Sequence, residues 1–217
     1  MSAAAPLAIS TGDPAGIGPE LIALCWARRE AEALAPFLAV GGADLLREAA
    51  ASRGLDLPIR RVASPAEAAE CFAHALPVLG DEDCAYTPGT PSLEGARFAL
   101  ASLANATGLA ISGAAGGLVT GPIAKSHLAK VGFTQPGQTE FVADACGVER
   151  DDAVMMLAGP SLRTIPITIH VALADVPRLL TTDLIVRRAR VTAHSLARDF
   201  GLVHPRLALC GLNPHAG

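Results

Sequence analysis

The chain has 217 residues, is 51% hydrophobic and carries a formal net charge of −4. That acidic balance leaves no electrostatic footprint for nucleic acid, and no apolar run reaches the ~20 residues that cross a membrane. The length allows one large or two small domains with a core that needs no staple.

The five cysteines, at 25, 71, 84, 146 and 210, have no paired spacing. A disulfide framework is therefore not expected, and a reducing, cytoplasmic setting is the simpler one. No basic stretch followed by a long apolar run stands at the start, so no signal peptide is expected.

Leu7 to Ser10 reads as a buried first strand. Thr11-Gly-Asp-Pro-Ala-Gly-Ile-Gly-Pro-Glu20 follows as a shaped loop, with Pro19 suited to the first position of a helix over Leu21 to Ala33. The glycines stand at 12, 16 and 18, which is not Gly-x-Gly-x-x-Gly, and no acid ends the next strand, Phe37 to Val40. An ordinary Rossmann dinucleotide fingerprint is rejected on both counts. Asp13, in a loop after a strand, is either a functional carboxylate or a simple cap.

Ala43 to Arg53 reads as a helix closed by Gly54, and Leu57 to Val62 as a strand. Ser64-Pro-Ala-Glu67 has capping-box spacing for a helix to about residue 75. Leu76 to Leu79 is apolar but interrupted by Pro77, and Gly80 to Asp83 is a surface turn. A long Ala-rich helix is expected over Leu93 to Leu109. Strands alternating with helices argue for an α/β fold with a parallel or mixed sheet.

The stretch from Val119 to Phe141 organises the rest. A strand end at Gly117 to Thr120 is broken by Gly121-Pro122, and Pro136-Gly137 breaks the chain again before a helix that opens near Thr139. Two such breaks make a shelf of free backbone N–H groups suited to a phosphate, or an ordinary pair of strand–helix turns.

Beyond it, Ala153 to Gly159 and Leu162 to Val171 read as strands of a hairpin that would make this part of the sheet mixed. Asp175 begins a helix, Thr181 starts a longer one to about Phe200, and Gly201 ends it. Arg206 to Gly211 reads as a last strand, and the chain stops in a Gly/Pro loop, which looks interrupted rather than finished. The expected domains are a first α/β lobe over residues 1–120 and an incomplete second lobe over 121–217.

Of six histidines, His74, His127, His194 and His204 fall on expected helix surfaces or loop edges and read as structural. His170 and His215 fall at or just past expected strand ends, where open α/β sheets place ligands. Two imidazoles are short of the three protein ligands of a catalytic zinc. A third would come from Asp13 or another acid, from another subunit, or from sequence beyond this chain.

Five motifs, Ser10–Glu20, Thr120–Lys125, Pro136–Phe141, Ile167–His170 and Gly211–Gly217, stand in the order and rough spacing of one family. The chain resembles the 4-hydroxythreonine-4-phosphate dehydrogenases (PdxA). The resemblance implies an α/β/α two-lobed fold like isocitrate and isopropylmalate dehydrogenases, truncated at the C-terminus, with the site in a cleft at a homodimer interface. It implies oxidation, with decarboxylation, of 4-phosphohydroxy-L-threonine in pyridoxal 5'-phosphate (vitamin B6) biosynthesis. NAD or NADP and a divalent metal (zinc, magnesium or cobalt) are the implied cofactors. His170 and His215 match two of the family's three metal histidines, and Thr139 a substrate-binding threonine. Gln138 replaces the family's histidine beside it; it can still hydrogen-bond a phosphate or hydroxyl but cannot titrate near neutral pH. That departure leaves open relatives acting on phosphothreonate or an aromatic cis-dihydrodiol. The residues alone also allow a non-redox phosphate-ligand binding protein or an acyl-phosphate transferase.

Overall fold

The structure, a computed structural model, describes residues 5–213 and 215. It divides into two compact units, one running to Gln138 and the other starting at Thr139.

The first unit is built on a five-stranded sheet of β1 (Leu7–Ser10), β2 (Phe37–Val40), β3 (Ile59–Val62), β4 (Leu76–Leu79) and β5 (Gly117–Thr120), in the order β3-β4-β2-β1-β5. Every pairing is parallel. The helices are α1 (Gly18–Ala27), α2 (Ala43–Ser52), α3 (Pro65–Cys71), α4 (Leu93–Ile111) and the short α5 (Lys125–Leu128).

All four residues of β2 are buried, and the two-residue period of a strand sends them to different cores. Phe37 and Ala39 pack with Ile22 and Trp26 of α1 and with Ala43 and Leu46 of α2. Leu38 and Val40 pack with Ala68 and Cys71 of α3 and with Ala106 of α4. The unit therefore has three layers, with α1 and α2 on one face and α3 and α4 on the other. Strands covered on both faces read as apolar runs without alternation, which is the pattern of Phe-Leu-Ala-Val.

Pro77 does not interrupt β4. The Leu76 N–H donates 2.8 Å to the Pro58 carbonyl, on the β3 side. Successive N–H groups of a strand point to opposite sides, so the one that proline lacks would face β2, where pairing starts only at Val78.

Local chemistry sets most boundaries. Ser64 caps α3 by accepting from the Glu67 N–H at 3.2 Å, while Glu67 reaches back to the Ala63 N–H at 2.9 Å, one residue before the expected partner. The helix after Pro19 ends at Ala27, short of the expected Ala33. Arg29 is drawn out of helical register: its guanidinium lies 3.7 Å over the Trp26 ring and donates 2.6 Å to the Ala73 carbonyl. Tertiary contact here overrides a run of good helix formers.

The second unit holds α6 (Gln138–Ala145), which starts on the last residue of the first unit, then β6 (Leu157–Ala158), β7 (Arg163–Thr164), α7 (Val176–Leu179) and α8 (Thr182–Phe200). β6 and β7 form the expected antiparallel hairpin, but each is two residues long and they make a sheet of their own. The five-stranded sheet is thus purely parallel, not mixed. α8 has Thr181 accepting from the Leu184 N–H at 3.2 Å at its start and Gly201 at φ 67° at its end. Arg187 ties it to the turn before β6, donating to Asp152 at 2.6 Å and to Glu149 at 2.8 Å.

The strand expected over Arg206–Gly211 is absent, as are most of those expected over 153–159 and 162–171. A strand needs a neighbour to take its N–H and C=O groups, and none of the described residues pairs with 206–211. Leu209 there is 63% exposed.

Asp83, in the turn after β4, caps α2 from outside. Its carboxylate accepts from the Asp44 and Leu45 N–H groups at 2.8 and 3.1 Å, and from Arg61 at 2.7 Å. Burial pushes this carboxyl up, but the N–H groups of Asp44, Leu45 and Cys84 and the Arg61 guanidinium outweigh it and hold it below the ordinary aspartate range. A carboxyl lowered on folding contributes stability above its unfolded pKa and loses it as the pH falls through the folded value. Asp83→Ala is expected to cost about 1–2 kcal/mol near neutral pH. Its stability gap from the parent should close in acid, as urea unfolding at several pH values will report.

Candidate functional site

The carboxyl edge of β1 and β5 carries two of the singled-out motifs. The strands are neighbours, with Ser10 opposite Thr120, and β2 lies on the other side of β1. The chain passes from β1 to β2 by way of α1 but leaves this sheet after β5; the carboxyl ends of the strands are the edge at which open α/β sheets bind ligands.

The loop after β1, residues 11–17, and the loop after β5, residues 121–124, are locked backbone to backbone. The Asp13 N–H donates 2.9 Å to the Pro122 carbonyl, and the Gly121 N–H donates 2.9 Å to the Ser10 carbonyl. Gly12 and Gly121 make the approach possible, and Gly18 lets the β1 loop fold back on itself. A Cβ on Gly12 would stand 2.5 Å from the Pro122 carbonyl oxygen, one on Gly18 2.4 Å from that of Thr11, and one on Gly121 2.6 Å from that of Ser10. Gly12 also needs its left-handed backbone, φ 79°.

Buried hydroxyls anchor this knot to the sheet. The Thr11 N–H donates 2.9 Å to the Ser102 hydroxyl, which donates 2.7 Å to the Val40 carbonyl; the Thr11 hydroxyl donates to the same carbonyl at 3.1 Å. The glycine spacing that superficially suggested a pyrophosphate loop is therefore spent on protein–protein contact. The faces that a cofactor phosphate would approach in a dinucleotide loop are filled by carbonyl oxygens.

Asp13 is buried and its carboxylate accepts from the Ala15 N–H at 2.9 Å, so it shapes the loop, the simpler of its two readings. Glu20, buried in the first turn of α1, accepts 2.6 Å from the Tyr86 hydroxyl and is ion-paired with Arg53. The Tyr86 hydrogen bond holds this carboxyl below the usual range; burial opposes it and Arg53 adds to the lowering. Sequence reading missed this cluster, because its members lie 33 and 66 positions from Glu20 and share no local motif.

Gln138 is half-buried and donates its side-chain N–H to the Gly121 carbonyl at 3.0 Å, so it joins the β5 loop. Thr139, the next residue, is exposed. His170 lies in an exposed bend at φ 56°, not at a strand end. His215 is exposed, with its N–H donating 2.8 Å to the Asn213 side chain, and the strand expected before it is missing. Histidine tolerates the left-handed region better than most side chains. Among the described residues, no group of three His, Cys, Asp or Glu is placed to hold a metal ion.

The motifs agree with what the chain is similar to. The family model described as "Pyridoxal phosphate biosynthetic protein PdxA" matches residues 32–217. The chain belongs to the PdxA family. It is 56% identical over 212 residues to a 4-hydroxythreonine-4-phosphate dehydrogenase of Erythrobacter litoralis, covering 98% of this chain and 63% of that relative. Among solved PdxA-family structures, the 4-hydroxythreonine-4-phosphate dehydrogenase of Klebsiella pneumoniae is similar at a TM-score of 0.85 and 33% identity, over 98% of this chain and 65% of that one. A terephthalate 1,2-cis-dihydrodiol dehydrogenase of Burkholderia xenovorans is similar at 0.62 and 27%, over 98% and 63%. The chain thus spans under two thirds of the length of these relatives. No helix among the described residues is long and apolar enough to cross a membrane.

The interlock is testable. Gly12→Ala and Gly121→Ala each force a Cβ into backbone that cannot yield, and are expected to destabilise by more than about 1 kcal/mol. Gly54→Ala, at φ 70° but in open space, should show only the left-handed cost of about 1–2 kcal/mol, less than Gly12→Ala, where both penalties act. Thermal unfolding of the three variants gives the order.

Proposed function

We propose that the protein oxidises 4-phosphohydroxy-L-threonine in pyridoxal phosphate biosynthesis, with NAD or NADP as hydride acceptor and decarboxylation of the oxidised product. What carries the reading is the 56% identity, over 98% of the chain, to a relative named for that activity. The cytoplasmic setting, the two-lobed isocitrate dehydrogenase-like arrangement and a homodimer with a shared site belong to the same reading.

In it, Gln138 and Thr139 hold the phosphate end of the substrate. Gln138 keeps a second amide N–H beyond the one given to Gly121, and the Thr139 hydroxyl is free to donate. Neither titrates near neutral pH, so this end of the site binds phosphate through fixed dipoles. The nicotinamide, when bound, takes up the hydride. The loop after β1 does not fit its pyrophosphate, because carbonyl oxygens fill the faces that a phosphate would approach.

His170 and His215 are the imidazoles proposed for the divalent ion. Their donor chemistry suits zinc or cobalt, but two donors fall short of the three of a catalytic zinc. The described residues alone do not make that site.

The second reading, a dihydrodiol dehydrogenase, is favoured by Gln138 and by the Burkholderia similarity; its TM-score of 0.62 against 0.85 at equal coverage of this chain ranks it lower. A non-redox phosphate-binding or acyl-phosphate transferase role is the remaining alternative.

Absorbance of reduced nicotinamide, followed with 4-phosphohydroxy-L-threonine and with an aromatic cis-dihydrodiol in the presence of divalent metal, separates the three. Turnover of the phosphorylated substrate is expected; turnover of the diol alone, or of neither, would overturn the reading. Thr139→Ala is expected to raise KM about tenfold or more, the effect of losing a hydrogen bond to a charged group.

A further inference from the structure

Between β4 and α4 runs a segment without helix or strand, and both of its ends are fixed. At one end the Gly42 N–H donates 2.9 Å to the Glu82 carbonyl, and Asp83 caps α2. At the other, Ser92 caps α4 by accepting from the Gly95 N–H at 3.0 Å. Residues 84–91 span the gap. Cys84 and Tyr86 are half-buried, and Ala85 and residues 87–91 are exposed.

This span is tied to the rest of the unit at two places. The Tyr86 hydroxyl donates 2.6 Å to Glu20, in the first turn of α1, and stands 3.3 Å from the Ser52 hydroxyl at the end of α2. The Gly89 N–H donates 2.8 Å to the Ala15 carbonyl, in the loop after β1. The span's other hydrogen bonds to described residues are local, from Thr90 and Thr87 within one turn and from Cys84 to Asp83.

The β1 loop is therefore held differently by its two neighbours. The β5 loop grips it through backbone bonds and through glycines that admit no Cβ. Residues 84–91 meet it through one backbone bond, and a Cβ on Gly89 would have nothing within 4 Å. Their main hold is a side chain, Tyr86, on a buried carboxylate that Arg53 also pairs with. A hydrogen bond to an ionised acceptor is strong, yet it is a single contact that can break while the sheet stays closed.

We infer that residues 84–91 form a strap that lifts off the β1 loop as a unit, with Tyr86 as its latch, and so covers or uncovers that loop at the carboxyl edge of the sheet. The strap does not depend on the proposed activity; only the identity of what enters beneath it does. Cys84 begins the strap and reports its position. Burial, with the Glu94, Asp83 and Asp13 carboxylates nearby, holds its thiol above the ordinary range, so it reacts slowly while the strap is closed.

The test needs no substrate. Alkylation with iodoacetamide at constant pH, followed by peptide mass spectrometry, compares Cys84 with Cys71 of the core in one sample. Tyr86→Phe removes the latch bond and is expected to raise the rate at Cys84 about tenfold or more, with Cys71 unchanged within about twofold. In the unaltered protein, amide exchange at Gly89 is expected to be about tenfold or more faster than at Asp13 and Gly121, although all three bonds are 2.8 to 2.9 Å long. Equal protection of Gly89, Asp13 and Gly121 would overturn the proposal. So would an unchanged Cys84 rate in Tyr86→Phe, or Cys84 and Cys71 rising together, which would make Tyr86 a support of the whole unit and not a latch. None of these readouts involves turnover, so failure of the dehydrogenase reading would leave them untouched.

Discussion

The close approach of the β1 and β5 loops is the constraint on which the candidate site depends. Backbone hydrogen bonds hold these loops together, helped by the Ser10 hydroxyl, which accepts from the Gly121 N–H at 3.2 Å, and the absence of side chains lets them meet. Where Gly12, Gly18 and Gly121 stand, carbonyl oxygens occupy the space of a Cβ at 2.4 to 2.6 Å. Hydrogen bonds from Asp13 to Pro122 and from Gly121 to Ser10 then close the knot. Because Thr11 and Ser102 tie it to the Val40 carbonyl, the loops inherit the rigidity of the central strand. Gln138 is fastened to the same loop through Gly121. Sites built on such supported backbone hold a ligand more exactly than sites on free loops.

Buried charge follows the same economy. Glu20 and Asp83 are both carboxylates at the first turn of a helix, where they complement the positive end of its dipole. Each is held ionised by donors from distant parts of the chain, Glu20 by Tyr86 and Arg53, Asp83 by the backbone of α2 and by Arg61. Acids already occupy the places where an external anion would otherwise be drawn to α1 and α2.

What was legible in the sequence was what local chemistry decides. The capping box at Ser64, proline at the start of α1, glycine at the end of α8 and the four-residue apolar strands each depend on neighbours within a few positions. The two-faced burial of β2 came from the structure, although Phe-Leu-Ala-Val has no polar side. Pro77 read as an interruption because its tolerance depends on which neighbour faces its missing N–H. The Glu20–Tyr86–Arg53 cluster and the reach of Asp83 to α2 were hidden by sequence distance. The apolar run at 206–211 has every local mark of a strand, yet pairing is a property of two segments, and no described segment pairs with it. His170 and His215 were singled out by motif and by expected strand ends, and those strand ends did not form.

Amide hydrogen exchange tests the central claim most directly. If the two loops are fixed by backbone interlock, the N–H groups of Asp13 and Gly121 should exchange only through opening of the sheet, with protection close to that of Leu38 and Ala39 in β2. Exchange of Asp13 and Gly121 at the rate of an exposed amide with no hydrogen-bond acceptor, while β2 remains protected, would contradict the account.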